Sequence, residues 1–166
     1  MSTPAVSPRE IPPEVLIARR LAMGRLTIVT GLILALLTSA LSLMLLLSTP
    51  QDHPGRHAAT LGILACAGSI ALIGAGTGLL VAASTEPEAA LRRHVRVLEW
   101  CARLTAVLAV VGASALMIVV PAAWLHVALG LVICLQPVVV AWGLARLTHR
   151  RLDPTPLGRP DGLPRL

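Results

Sequence analysis

Phenylalanine, tyrosine and lysine are absent from this chain of 166 residues, and three tryptophans are its only aromatic residues. The chain therefore has too few aromatic side chains to favour an aromatic cage or a surface on which a flat ligand stacks. Only 13% of the residues are charged, against about 25% in an average soluble protein. Because 55% are hydrophobic, the composition indicates a membrane protein.

Charged residues are missing from three long stretches, residues 26–49, 58–85 and 104–145. A membrane-spanning helix needs about 20 apolar residues. The third stretch would measure roughly 63 Å as one helix, about twice a bilayer core, so it must turn back near Pro121. The sequence therefore predicts an all-α membrane protein, a bundle of four transmembrane helices. The predicted spans cover about 26–48, 58–84, 103–120 and 122–145.

The segments around these spans carry predictions of their own. Residues 1–14 and 148–166 are rich in proline and are predicted to be disordered, which leaves a transmembrane domain over 15–147. The first apolar run is too long for a signal peptide, whose core has about 7–15 residues, so we expect it to be retained. Between spans two and three, residues of about 86–102 predict an amphipathic helix in a cytoplasmic loop, which is continuous with span three or leads into it. Its apolar stripe consists of Leu91, Val95, Leu98 and Ala102.

Arginines are distributed unequally between the two ends of the predicted bundle. Arg56 alone lies between spans one and two, and the other 13 of the 14 arginines flank the opposite end. Basic segments stay in the cytoplasm, so both termini are predicted to be cytoplasmic (N-in, C-in). The absence of lysine is typical of a GC-rich bacterial genome, and we expect a multi-pass protein of a bacterial plasma membrane. The bilayer explains the net charge of +6, and no nucleic-acid partner is predicted.

Tryptophan and arginine residues at the predicted bilayer surfaces are typical interface anchors. The predicted anchors are Trp100, Trp124, Trp142, Arg19, Arg20, Arg25, Arg92, Arg93, Arg150 and Arg151. For Arg19 and Arg20, a solvated positive anchor is preferred over a specific lipid site.

Small residues recur at every fourth position in the predicted spans, and such rows let helix backbones approach closely. The predicted packing residues are Gly31, Gly62, Gly74 and Gly78, the last two in a Gly-x-x-x-Gly motif. We expect them to pack inside the bundle, with a dimer face as the alternative. On this interpretation Gly78→Leu clashes with a neighbouring helix and destabilises the bundle.

Residues that carry chemistry are sparse. No acid, arginine or lysine lies within a span, which argues against a self-contained proton-coupled transporter. No catalytic motif is present, so no enzyme and no cofactor are predicted. His57 and His126 map to the outer side and are the candidates for an outer-face metal or haem site. Because no nearby acid or metal-binding motif supports that pair, no metal is predicted.

Gln136 and Pro137 form a polar pair inside the fourth span, in the run "VICLQPVVVAWG". Proline removes a backbone hydrogen bond from the helix. The pair is therefore predicted to be a kink beside a hydrogen-bonded glutamine, with a transport or ligand site as the alternative.

These patterns together predict a non-enzymatic integral membrane protein, an accessory or assembly subunit of a membrane complex. One alternative is a small channel, a holin-like pore or a transporter component formed by oligomerisation, with Gln136, Thr27 and Ser39 along its path. The other is the outer-face haem or metal-binding protein. The expected contacts are the lipid bilayer and a membrane-protein partner or further copies of the chain.

Overall fold

Prolines mark the helix starts in the computed structural model, which describes residues 12–82 and 86–152. Pro13 and Pro87 begin long helices, where the missing N–H is harmless because it would have no helical acceptor. The four long helices are α1 (Pro13–Ser48), α2 (Ala59–Val81), α3 (Pro87–Val119) and α4 (Trp124–Leu152). Two short 3-10 helices, Pro54–Ala58 and Pro121–Ala123, lead into α2 and α4.

The described residues form helices and turns, without a strand. Each long helix, with its leading turn, is long and apolar enough to cross a membrane, at mean hydropathies of 2.0 to 2.3. The prediction of an all-helical bundle with four apolar helices of membrane-spanning length is therefore confirmed. The predicted turn near Pro121 lies at residues 120–123, between α3 and α4.

The bundle consists of two antiparallel hairpins. α1 packs mainly against α2, α3 packs mainly against α4, and α2 also contacts both helices of the second hairpin. Its largest core cluster includes Leu72 of α2, Leu98 of α3 and Leu144 of α4. Residues 13–25, 86–96 and 146–152 lie at one end of the bundle, here called the arginine-rich end. Residues 49–58 and 120–126 lie at the other, here called the histidine end.

Two predicted boundaries differ from the structure, and one alternative is decided by it. The predicted loop helix is continuous with the third span, as α3, because the stripe of Leu91, Val95 and Leu98 is buried and continues into the span. Residues 148–152 were predicted to be disordered, but they belong to α4. Thr148 is buried in the bundle, which extends the packed part of the helix. α1 begins at Pro13, inside the predicted disordered segment. The predictions for residues 1–11 and 153–166 fall outside the described residues.

One row of buried positions in each of α2 and α4 alternates at spacings of three and four residues. The row in α2 is 62, 65, 69, 72, 76 and 79, and the row in α4 is 127, 130, 134, 137, 141, 144 and 148. Buried residues beside these rows are Leu61, Gly68, Ile133 and Ala145. The mean spacing of 3.5 is that of left-handed coiled coils, in which each helix keeps one narrow face towards its neighbours. This period determines which polar and small residues lie inside the bundle.

Candidate functional site

Arg20 joins α1 to the end of α2 at the arginine-rich end. Its side chain is buried; Nε donates to the Leu79 carbonyl oxygen at 2.8 Å and Nη2 to that of Leu80 at 3.1 Å. The last carbonyls of a helix have no partner within it, and a cation there is favourable for the helix dipole. The prediction of Arg20 as a surface anchor is therefore wrong, because its guanidinium group caps α2 inside the protein.

The other predicted anchors do not share this burial. Arg19 donates to the carbonyl oxygen of Arg151, which ties the start of α1 to the end of α4. The Arg146 guanidinium lies 3.6 Å above the ring of Trp142, a cation–π contact. The remaining side chains are exposed, as an anchor requires: Trp100, Trp124, Arg25, Arg92, Arg93, Arg150 and Arg151. Their depth in a bilayer stays a prediction.

His94 is a buried polar residue of α3 near the arginine-rich end. Its side chain is 3% exposed. Nε2 lies 3.2 Å from Thr27 Oγ1, so the ring links α3 to α1. The signal was present in the sequence, because His94 lies three residues after Leu91 and four before Leu98, on the apolar stripe of α3.

Pro137 lies at the centre of the bundle rather than on its surface. It is buried, and α4 runs unbroken through it from Trp124 to Leu152. A Cβ atom added to Gly68 of α2 would lie 3.2 Å from the Pro137 ring and 3.3 Å from the Thr105 methyl group of α3. Gly68 therefore provides the space that the proline ring occupies, and the pyrrolidine acts as an apolar packing group between three helices.

Gln136, next to Pro137, has a side-chain amide that makes no hydrogen bond within the described chain. Its Oε1 atom is buried without a hydrogen-bond partner. The expected hydrogen bond of the glutamine is therefore not made within the described chain. Pro137 faces α2 and α3, and the amide of Gln136 lies on another side of α4. Gln136 also lines a groove of about 500 Å³ between α1 and α4. The other lining residues are Leu34, Leu37, Val132, Leu135, Val139 and Val140.

The three residues suggested for a pore do not face a common path. Thr27 is fully buried and donates to the Met23 carbonyl oxygen at 2.8 Å. Ser39 is exposed, with its hydroxyl 3.3 Å from the Cys66 sulfur of α2. Gln136 lies on the groove between α1 and α4. Because Thr27 is buried within a single chain, its side chain cannot line a pore formed between several copies of the chain.

The histidine end contains a ring pair, but a different one from the predicted pair. The His53 and His126 rings lie 4.9 Å apart between centroids, whereas His57 is exposed and makes no such contact within the described chain. His53 Nδ1 accepts a hydrogen bond from the Gly55 backbone N–H at 2.9 Å. A neutral His53 ring then carries its proton on Nε2, so both nitrogens are occupied and neither offers a lone pair to a metal.

The predicted packing glycines fall into two classes. A Cβ added to Gly31 would lie 3.1 Å from the Ile73 backbone nitrogen, and one added to Gly62 would clash with the Ser42 hydroxyl. A Cβ added to Gly74 or Gly78 would meet nothing within 4 Å. The prediction that the Gly74-x-x-x-Gly78 motif packs inside the bundle is therefore wrong.

The physical reason is the helical period. A row of every fourth residue rotates by about 40° per step around a helix. From Gly62, four such steps amount to about 160°, so the row that begins inside the bundle ends outside at Gly78. The outward face, here called the α2 outer stripe, consists of Ile63, Ala67, Ile70, Gly74, Gly78 and Val81, all exposed.

Within residues 12–82 and 86–152, no group of three histidine, cysteine or acidic side chains is placed to hold a metal ion. The arrangement instead presents two outward surfaces of unusual composition: the α2 outer stripe with its open glycines, and the groove beside Gln136. Comparison of the chain with known protein families, with curated proteins and with solved structures finds no match.

Proposed function

We propose that this chain is a non-enzymatic integral membrane protein, an accessory or assembly subunit that packs against a helix of a partner membrane protein through the α2 outer stripe. The observation that carries the proposal is the open space at Gly74 and Gly78, where an added Cβ would meet nothing. Within a bilayer, helices associate through close packing of small residues, because lipid tails are as apolar as leucine.

The side chains that flank the two glycines are apolar and exposed. Ile63, Ile70 and Val81 are 71%, 63% and 74% exposed, and the two glycines lie between the last two of them. A glycine inside a helix costs roughly 0.5–1 kcal/mol relative to alanine, and neither glycine gains a contact within the chain in return. A partner helix that packs its backbone against the glycines would supply that contact.

Retention of the partner tests the proposal. The tagged chain is purified from native membranes in mild detergent, and co-purifying membrane proteins are compared between variants. Gly78→Leu fills the open space on the stripe, so we expect the partner to be lost. Ala115→Leu is the matched control, because Ala115 is also small and exposed but lies on α3, outside the α2 outer stripe. A chain that purifies without a membrane partner, or a partner that both variants retain, contradicts the proposal.

The same proposal includes the orientation, with both termini in the cytoplasm of a bacterial cell and the chain in its plasma membrane. It is supported by the 13 arginines assigned to the side of the termini against Arg56 alone on the other. Arg56 lies at the histidine end and Arg150 at the arginine-rich end.

Labelling of introduced cysteines in intact cells tests the orientation. A membrane-impermeant maleimide is expected to label Arg56→Cys but not Arg150→Cys until the cells are opened. The parent chain, which carries free Cys66, Cys101 and Cys134, provides the background. Labelling of position 150 alone in intact cells would reverse the orientation and leave the four-helix fold unchanged.

A further inference from the structure

A second outward surface, on α4, is apolar except for one residue. Its positions alternate at spacings of four and three, so they follow one line along the helix. This α4 outer stripe consists of Leu125, Leu129, Val132, Gln136, Val139 and Gly143. Val132 and Val139, on either side of Gln136, are 60% and 66% exposed. The stripe therefore places a single carboxamide between two apolar side chains that face away from the bundle.

The carboxamide of Gln136 has no hydrogen bond within the described chain, and its Oε1 atom is shielded from the surroundings. Lipid tails offer neither donor nor acceptor, so an unsatisfied amide in hydrocarbon is costly. Gln136 is only half-buried, and the terminal torsion of a glutamine side chain is broad, so a small rotation turns the amide towards the stripe. The group therefore needs a polar partner from outside this chain.

A second copy of the chain meets this requirement by symmetry. A carboxamide both donates and accepts, so two of them form a reciprocal pair. Copies inserted in one bilayer with the same orientation place Gln136 at the same depth, and a two-fold axis along the membrane normal brings like residues face to face. A single polar residue in an apolar helix seam also fixes the register of the two helices.

The surroundings of Gln136 suit the close approach of another helix. Gly143 lies one heptad beyond Gln136 on the same stripe, and a Cβ there would meet nothing within 4 Å. On the side towards α1, Leu34 and Leu37 form the far wall of the groove that Gln136 lines. The groove is lined by apolar residues, so it suits the apolar side chains that flank Gln136 on the α4 helix of a second copy.

We propose that the protein forms a two-fold homodimer through the α4 outer stripe, with the two Gln136 carboxamides hydrogen-bonded to each other. Side chains of each copy then fill the groove between α1 and α4 of the other. The α2 outer stripe stays free in this dimer, so the inference goes beyond the proposed function and does not depend on it.

Energy transfer between donor-labelled and acceptor-labelled copies in liposomes measures the association, as a function of the protein-to-lipid ratio. Gln136→Met keeps the length of the side chain and removes both polar atoms. Interhelical hydrogen bonds in membranes correspond to about a 3- to 30-fold change in an equilibrium constant. We therefore expect association to weaken by that factor. Gln51→Met is the matched control, because Gln51 is the only other glutamine and lies exposed in the turn before α2.

The thermal melting of each variant in detergent shows whether it is folded. At a dilution in detergent where the parent is monomeric, Gln136→Met is expected to melt at or above the temperature of the parent, because it removes an oxygen that is buried and unsatisfied in the single chain. A folded Gln136→Met protein that associates like the parent overturns the proposal, as does a parent chain that is monomeric at every protein-to-lipid ratio.

Oxidative cross-linking then tests the position of the two-fold axis. Val139→Cys lies next to Gln136 on the α4 outer stripe, and Ile70→Cys is equally exposed on the α2 outer stripe. We expect a cross-linked dimer with Val139→Cys and only the background of the parent chain with Ile70→Cys. Efficient cross-linking of Ile70→Cys alone would place the contact between copies on α2 and refute the α4 dimer. Loss of a co-purifying partner is a separate result, which concerns only the proposed function.

Discussion

Gly76 and Gly78 lie two residues apart in α2, but they face opposite sides of the helix. A Cβ added to Gly76 would lie 2.9 Å from the Gly24 carbonyl oxygen and 2.8 Å from Ile28 Cγ1 of α1. A Cβ added to Gly78 would meet nothing within 4 Å. Two residues rotate by about 200° around a helix, so one glycine lies in the contact with α1 and the other on the outer stripe.

The difference shows that glycine has two uses in this helix. At Gly76 the missing side chain lets the backbones of α1 and α2 touch within one chain, and Gly31 has the same role from the side of α1. At Gly74 and Gly78 the space remains open and serves no contact within the described chain, and the proposed use is a contact with a partner helix. The Gly-x-x-x-Gly spacing alone does not distinguish these uses, because the distinction depends on which face of the helix is turned inward.

Gly76→Leu is expected to have the largest effect on stability. The new side chain would begin within 3 Å of the backbone oxygen of Gly24, and backbone atoms cannot move aside as a flexible side chain does. Overpacking usually costs about 1–3 kcal/mol, and we expect at least the upper value here. Unfolding in detergent, followed by circular dichroism during heating or titration with dodecyl sulfate, measures the loss. A variant as stable as the parent would show that α1 and α2 are not in contact at this glycine.

Arg20→Met is expected to have the next largest effect, because Arg20 closes the packed face at the arginine-rich end. The change removes both hydrogen bonds to the α2 carbonyls of Leu79 and Leu80 but keeps an apolar stem of similar length. Each hydrogen bond to a charged group contributes about 1.5–3 kcal/mol, and removal of the buried charge offsets part of the loss of two, so we expect a net destabilisation of about 1.5–3 kcal/mol.

Arg25→Met is the matched control for this change, since Arg25 is exposed on the same helix. Exposed substitutions usually change the free energy of unfolding by less than about 0.5 kcal/mol. Equal stability of the two variants would show that Arg20 does not cap α2.

The sequence predicted the four apolar helices and the turn near Pro121 correctly, because span length and missing charge are set by the bilayer alone. It did not predict the burial of Arg20 and His94, since both depend on which helix ends meet in three dimensions. The open glycines were assigned to the wrong face because a repeat of four residues was followed where the helices pack at 3.5. For Gln136, the sequence predicted a hydrogen bond. It could not predict that the chain itself offers no hydrogen-bond partner, because this depends on how α1 and α2 are placed around α4.

Gly78→Leu is expected to have the smallest effect on stability, and its comparison with Gly76→Leu tests the two-face description of α2 most directly. Both variants make the same chemical change two residues apart in one helix. The measurement is the melting temperature of each purified variant in the same detergent, relative to the parent chain. The two-face description predicts that Gly78→Leu melts at or slightly above the parent, because the helix loses an unfavourable glycine without a clash, while Gly76→Leu melts far below it. A Gly78→Leu protein that loses as much stability as Gly76→Leu would place Gly78 inside the bundle and contradict the description.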